Sequence, residues 1–141
     1  MLTDLHIAEL WVRMARIYGH RWTTHFGASD DGTWLAGLQH LTADQLATGM
    51  RAVIARGDAW PPSLPEFRLI CLGLPRRDRA VADALAGEDT LLARRMRAEV
   101  GQWDMDHLYA SDLRVRLAQA YDTAVERLMA PGAAAMLERQ A

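Results

Sequence analysis

Apolar residues recur three and four positions apart through most of the chain, and the runs are bounded by residues that start or stop helices. From Asp4 to Tyr18 the series Ile7, Leu10, Trp11, Met14, Ala15, Ile17 and Tyr18 predicts a helix. Thr3 is its N-cap, Asp4 suits the positive end of the helix dipole, and Gly19 is its stop. The stretch from His20 to Gly32 mixes aromatic and polar residues and ends in Ser-Asp-Asp-Gly, a turn signal. A short helix is expected from Thr33 to His40 with Trp34, Leu35 and Leu38 inward. Another opens at Thr42, where Gln45 can reach back to the cap. Its buried stripe is Leu46, Met50, Val53 and Ile54, and it ends at Gly57-Asp58. Gly49 lies inside that helix at a cost of about 1 kcal/mol against alanine, which close approach of a neighbouring helix would explain.

The run Trp60-Pro61-Pro62-Ser63-Leu64-Pro65-Glu66-Phe67 reads as a rigid strap leading into a sharply started helix. Each proline keeps the residue before it extended, Ser63 caps the helix with Glu66 completing a capping box, and Pro65 falls in the first turn, where its missing N–H is harmless. Phe67, Ile70 and Cys71 are expected to face the core, Trp60 to pack on the turn, and Gly73 with Pro75 to end the helix. Beyond Arg76, alanine, arginine and acids dominate. Helices are expected over 78–86 and 90–100, then a break near Gly101 to Asp106 that contains Trp103. A long helix follows from Ser111 or Asp112 to about Met129, with the stripe Leu113, Leu117, Tyr121, Val125 and Leu128. Pro131-Gly132 breaks it before an alanine-rich tail. With no alternating strand pattern and no repeat, the expected fold is all-α, with a small N-terminal helical module (1–74) and a C-terminal helical extension (75–141). The C-terminal helices carry few large apolar residues, so they either lie on the N-terminal core or await a partner that supplies the missing buried surface.

Composition then removes whole classes of function. The 141 residues carry a net charge of −2, and all 16 basic residues are arginine. Without lysine there is no P-loop, Schiff-base or lysine general-base chemistry. Cys71, the single cysteine, excludes an internal disulfide and any thiolate-built zinc site. No segment is apolar enough to cross a bilayer and the N-terminus has no leader pattern, so a cytoplasmic protein without membrane partners is expected.

Charge is balanced in both parts, with 6 Arg against 7 acids in residues 1–74 and 10 against 11 in residues 75–141. That disfavours a dedicated duplex-binding domain. The triplets Arg76, Arg77, Arg79 and Arg94, Arg95, Arg97 lie among Asp78, Asp83, Glu88 and Glu99, as on solvated helix faces. A single-stranded nucleic-acid binder could stack bases on Trp11, Trp22, Trp34 and Trp60, although a tryptophan-rich core is the simpler reading. The spacing of His20, His25 and His40 matches no zinc motif, so no metal or cofactor is expected, and His20 is read as bonding the last carbonyls of the first helix. Cys71, inside a helix, is read as inert packing rather than a nucleophile. No catalytic constellation stands out, and the chain is not expected to be an enzyme.

The span Trp34, Leu41-Thr42, Gln45, Gly49-Met50-Arg51, Trp60, Pro62-Ser63, Phe67 and Cys71 resembles the replication protein P family of lambdoid phages, the helicase loaders. Trp103 and Tyr121 look like that family's C-terminal Trp and Tyr pattern. The resemblance implies a phage or prophage replication protein that binds the host DnaB-type replicative helicase and loads it onto single-stranded DNA without an ATPase of its own. A variant of the same reading is an inhibitor that sequesters the helicase. In the family, helicase engagement falls mainly to the C-terminal helices, which here would present Trp103, Leu113, Arg114, Arg116, Leu117, Tyr121, Val125 and Leu128. Trp34, Gly49, Met50, Trp60, Pro62, Ser63, Glu66, Phe67 and Cys71 are then scaffold. The chain is shorter than the family's long members and lacks the N-terminal portion that engages the origin-binding protein, so that partner is not expected. Contact with single-stranded DNA would be weak.

Overall fold

In a computed structural model, which describes residues 1–129, the fold is all-α, with nine helices and no strand among the described residues. The chain forms two compact units divided between Leu74 and Pro75.

The first unit contains α1 (Asp4–Tyr18), α2 (His20–Phe26), α3 (Thr33–Leu38), α4 (Ala43–Arg56) and α5 (Leu64–Leu72). Its starts follow from local chemistry. Thr42 Oγ1 accepts from the Gln45 amide at 3.1 Å while the Gln45 side chain accepts from the Thr42 amide at 2.9 Å. The Ser63 hydroxyl accepts from the Glu66 amide at 3.4 Å. At α3 the two oxygens of Asp30 take the amides of Trp34 and Leu35, each at 3.0 Å, satisfying helix-start donors that would otherwise lack partners. The stretch after Gly19, read as turn-rich, in fact contains α2. No capping side chain announces it, since its N-cap is Gly19, and Trp22 holds the turn in place by being fully buried.

The core of this unit is aromatic. Trp22 lies edge-on to Trp11 at 4.9 Å and to Trp34 at 5.2 Å, Phe26 sits 4.5 Å from Trp22, and Phe67 lies 5.8 Å from Trp34. Edge-to-face pairs of this kind add to burial by matching positive ring edges to negative faces. The Trp11 indole N–H also donates to the Gly27 carbonyl at 3.0 Å, tying α1 to the end of α2.

Gly49 is the point of closest approach between α4 and α5. A Cβ there would overlap the Cys71 sulfur and stand 3.3 Å from the Cys71 Cα. Gly49→Ala therefore sets a helix-propensity gain of about 1 kcal/mol against an overpacking cost of about 1–3 kcal/mol. A net loss of about 1–2 kcal/mol is expected in urea unfolding, partly recovered when Cys71→Ala is added. A stabilised single variant would show that α5 can retreat.

The second unit contains α6 (Arg77–Leu85), α7 (Leu91–Val100), α8 (Gln102–His107) and α9 (Ala110–Met129). The long helix α9 packs on α6 and α7. Ala80, Ala84, Ala93, Ala120 and Ala124 are buried among Leu92, Met96, Leu113, Leu117 and Leu128, so small side chains let the backbones come close. Arg97 donates to the carbonyls of Ala84 at 3.2 Å and Glu88 at 2.9 Å, satisfying acceptors at and just beyond the end of α6. The Tyr121 hydroxyl donates to the Pro75 carbonyl at 2.8 Å, and Arg77 places Nε and Nη2 on one Asp122 oxygen at 3.0 and 2.6 Å. Where a break was expected after Gly101, one and a half turns of helix form instead as α8. The expected break at Pro131-Gly132 and the tail after it lie outside the described residues.

Candidate partner-binding surface

The α9 stripe expected to face a partner faces inward. Leu113, Leu117, Tyr121 and Leu128 are buried, Leu117 completely, and Val125 is partly buried. The reason is that Ala120 and Ala124 widen the same stripe, and α6 and α7 cover it with alanine-rich faces of their own. These five side chains are the core of the second unit rather than an open surface. Arg114 and Arg116 are exposed, as expected for a surface role, and Arg116 reaches Asp104 at 3.0 Å, fastening α8 to α9.

What the second unit does present is the α8–α9 bend. Trp103 is 67% exposed and Tyr109 82% exposed, with Val115 outward one turn into α9. His107 stacks on the Trp103 ring at 4.3 Å and 10° between planes, and its Nδ1 lies 2.8 Å from the Trp103 carbonyl. A carbonyl can only accept, so Nδ1 carries a proton and the imidazole is pinned over the indole. Gln102 donates to Asp106 at 2.9 Å on the same short helix. Trp103 is thus an exposed aromatic with one face backed and its orientation held, which lowers the entropy lost when a partner covers it. Tyr109 and Val115 were not singled out from the sequence. Their signal was that both fall off the 113–117–120–124–128 series.

The scaffold residues come together in the first unit. Trp34, Gly49, Met50, Pro62, Phe67 and Cys71 are buried, Ser63 is the exposed cap of α5, and the Glu66 carboxylate lies 3.6 Å from Arg56. Trp60 is the exception. It is 58% exposed, with the Arg21 guanidinium 5.0 Å over its ring and His25 5.9 Å away, because Arg21 is anchored outside the core by the Ala59 carbonyl at 2.8 Å. Ile17 and Ile54, placed inward by periodicity, also sit outward, at the edges of their helices.

Three of the four tryptophans considered for base stacking, Trp11, Trp22 and Trp34, are buried against one another and present no free face. The arginine triplets are engaged as well. Arg77 pairs with Asp122, Arg79 with Asp83 at 3.1 Å and Arg94 with Asp89 at 3.3 Å, while Arg97 holds carbonyls. Among the described residues no group of three or more His, Cys, Asp or Glu side chains could hold a metal, and no helix is long and apolar enough to cross a membrane.

Cys71 is buried, and desolvation pushes its thiol up to about 12. An unfolded thiol ionises near pH 8.5. Its neutral form is the one the fold favours, so that contribution is intact below about pH 8.5 and is lost as pH rises from there toward 12. Alkylation at pH 8 is expected to be slower in the native protein than in urea by about two orders of magnitude. Equal rates would place the thiol at the surface. Comparison of the chain with family models, with curated proteins and with solved structures found no match.

Proposed function

We propose that this chain is a phage-type helicase loader, an adaptor that binds a DnaB-type replicative helicase and places it on single-stranded DNA. The observation that carries the reading is the fate of the motif shared with the replication protein P family. Its residues are spread over 38 positions; Trp34, Met50, Phe67 and Cys71 fall in one hydrophobic core, with Gly49 against Cys71, while Trp60 lies outside it. That placement supports the scaffold role which the resemblance implies for these residues.

A loader with no nucleotide chemistry acts through binding energy alone. It shifts a closed helicase ring toward an open one only by the difference in its affinity for the two. Contacts of that kind concentrate in a few rigid aromatic anchors. Trp103, stacked under His107, meets the description, and Tyr109 and Arg114 are exposed on the segments that follow it.

The test is co-migration and titration of the full chain with the hexameric helicase. Replacing Trp103 and Tyr109 together by alanine is expected to weaken binding by about 30-fold or more while the melting temperature stays unchanged. Undiminished binding would remove this surface from the proposal, and no binding by the native chain would remove the helicase. A fork-DNA loading assay separates a loader, which stimulates unwinding, from a sequestering inhibitor, which only suppresses it.

A further inference from the structure

The first unit buries Trp11, Trp22 and Trp34 together but leaves the ring of Trp60 outside. Pro61 and Pro62 restrict the backbone at and after Trp60, so the ring stands on a stiff stretch of chain. Arg21 and His25, four residues apart on α2, share the helix face that meets it. Arg21 lies over the ring, and its one hydrogen bond goes to the neutral Ala59 carbonyl. Among the described residues it meets no carboxylate. Asp58 and Glu66, the acids closest to Trp60 in sequence, are both held by Arg56, at 2.8 and 3.6 Å. A guanidinium has five N–H donors, so most of those on Arg21 are unspent and its charge is unpaired.

A ligand that uses this pair fully is flat, rich in π electrons and anionic at once, which describes a nucleotide. We infer that Trp60 and Arg21 form a binding site for single-stranded nucleic acid. One unstacked base lies on the indole, and Arg21 donates to the adjoining phosphate. Stacking of a base on an aromatic ring tolerates any sequence, because every base has a π-face. A duplex is refused, since its bases are already stacked on both sides. An acidic peptide would pair with Arg21 and leave the ring bare. An apolar helix would cover the ring and strip water from Arg21 without pairing it, at a cost. One ring and one cation make a weak site, and a chain of net charge −2 adds no long-range attraction.

The inference does not depend on the helicase reading, and its test contains no helicase. The full chain is titrated into a fluorescein-labelled oligothymidylate of about 20 nucleotides at about 50 mM salt, followed by anisotropy. Saturable binding with a Kd below about 1 mM is expected. Trp60→Ala weakens it about tenfold or more, while Trp60→Phe, which keeps a ring, stays within a few-fold of the native chain. Arg21→Ala also weakens it and lowers the salt dependence by about one phosphate contact. Trp60 and Arg21 are exposed, so these variants are expected to keep the native circular dichroism and melting temperature. Four results would each overturn the inference: no binding by the native chain up to about 1 mM, a Trp60→Ala variant that binds as the native chain does, an Arg21→Ala variant with native salt dependence, or a duplex bound as tightly as the strand. Displacement of the strand by polyglutamate as effectively as by unlabelled strand would overturn it too, by showing that charge alone is read.

Discussion

Phe67→Ala is expected to lower the stability of the first unit by about 3–5 kcal/mol, the range for removing a fully buried aromatic and leaving its cavity. Phe67 has no solvent exposure and its ring lies 5.8 Å from Trp34, which in turn contacts Trp11, Trp22 and Phe26. The aromatic cluster is stiff and edge-packed, so it has little freedom to collapse into the gap. A loss of that size is a large part of a domain's whole stability, about 5–15 kcal/mol. Urea unfolding followed by tryptophan fluorescence measures it, since Trp11, Trp22, Trp34 and Trp60 all belong to this unit. Phe67→Leu keeps most of the volume and is expected to retain most of the stability. A loss below about 1 kcal/mol for the alanine variant would mean the cluster is looser than its ring geometry indicates.

The second large effect concerns two residues on one helix. Leu117→Ala is expected to cost about 2–5 kcal/mol, whereas Val115→Ala stays within about 0.5 kcal/mol of the native protein. Leu117 has no exposure and lies where α9 packs on α6 and α7, while Val115 is 57% exposed. Thermal melting of the pair measures the contrast. It also divides structure from binding. Under the proposed function, helicase binding by Leu117→Ala is expected to decline only in step with the unfolded fraction, while loss of Trp103 and Tyr109 is expected to weaken it at full stability. A Leu117 variant that keeps its melting temperature but loses the partner would return the stripe to the surface.

How far the sequence reaches differs from element to element. The starts of α4, α5 and α7 were legible because Thr42, Ser63 and Thr90 each supply an oxygen to an amide three residues on, an interaction complete within one turn. The stops at Gly57 and Gly73 were legible for a similar reason. Both adopt positive φ, 68° and 69°, where other residues are strained. Gly49 announced a close neighbour without naming it; only the packing of α4 on α5 identified Cys71. The helices α2 and α8 left no trace, since each starts at a glycine that reads as a stop, Gly19 or Gly101, with no capping side chain to announce it.

The candidate surface was the least legible part. Trp103, Arg114 and Arg116 were named from the sequence and are exposed, but Tyr109 was passed over and the large apolar residues of α9 were turned the wrong way. Trp60 shows the converse, an aromatic in an apolar-looking strap that ends up outside under an arginine.

Local interactions, complete within a few residues, set the all-helical class and most helix ends in this protein. Periodicity further picked out which stripe of α9 would be covered. What covers that stripe, another part of the same chain or another molecule, depends on contacts between residues far apart in sequence. The burial of Leu117 under α6 and α7 and the exposure of Leu5 and Val12 on α1 were therefore decided by the tertiary structure alone.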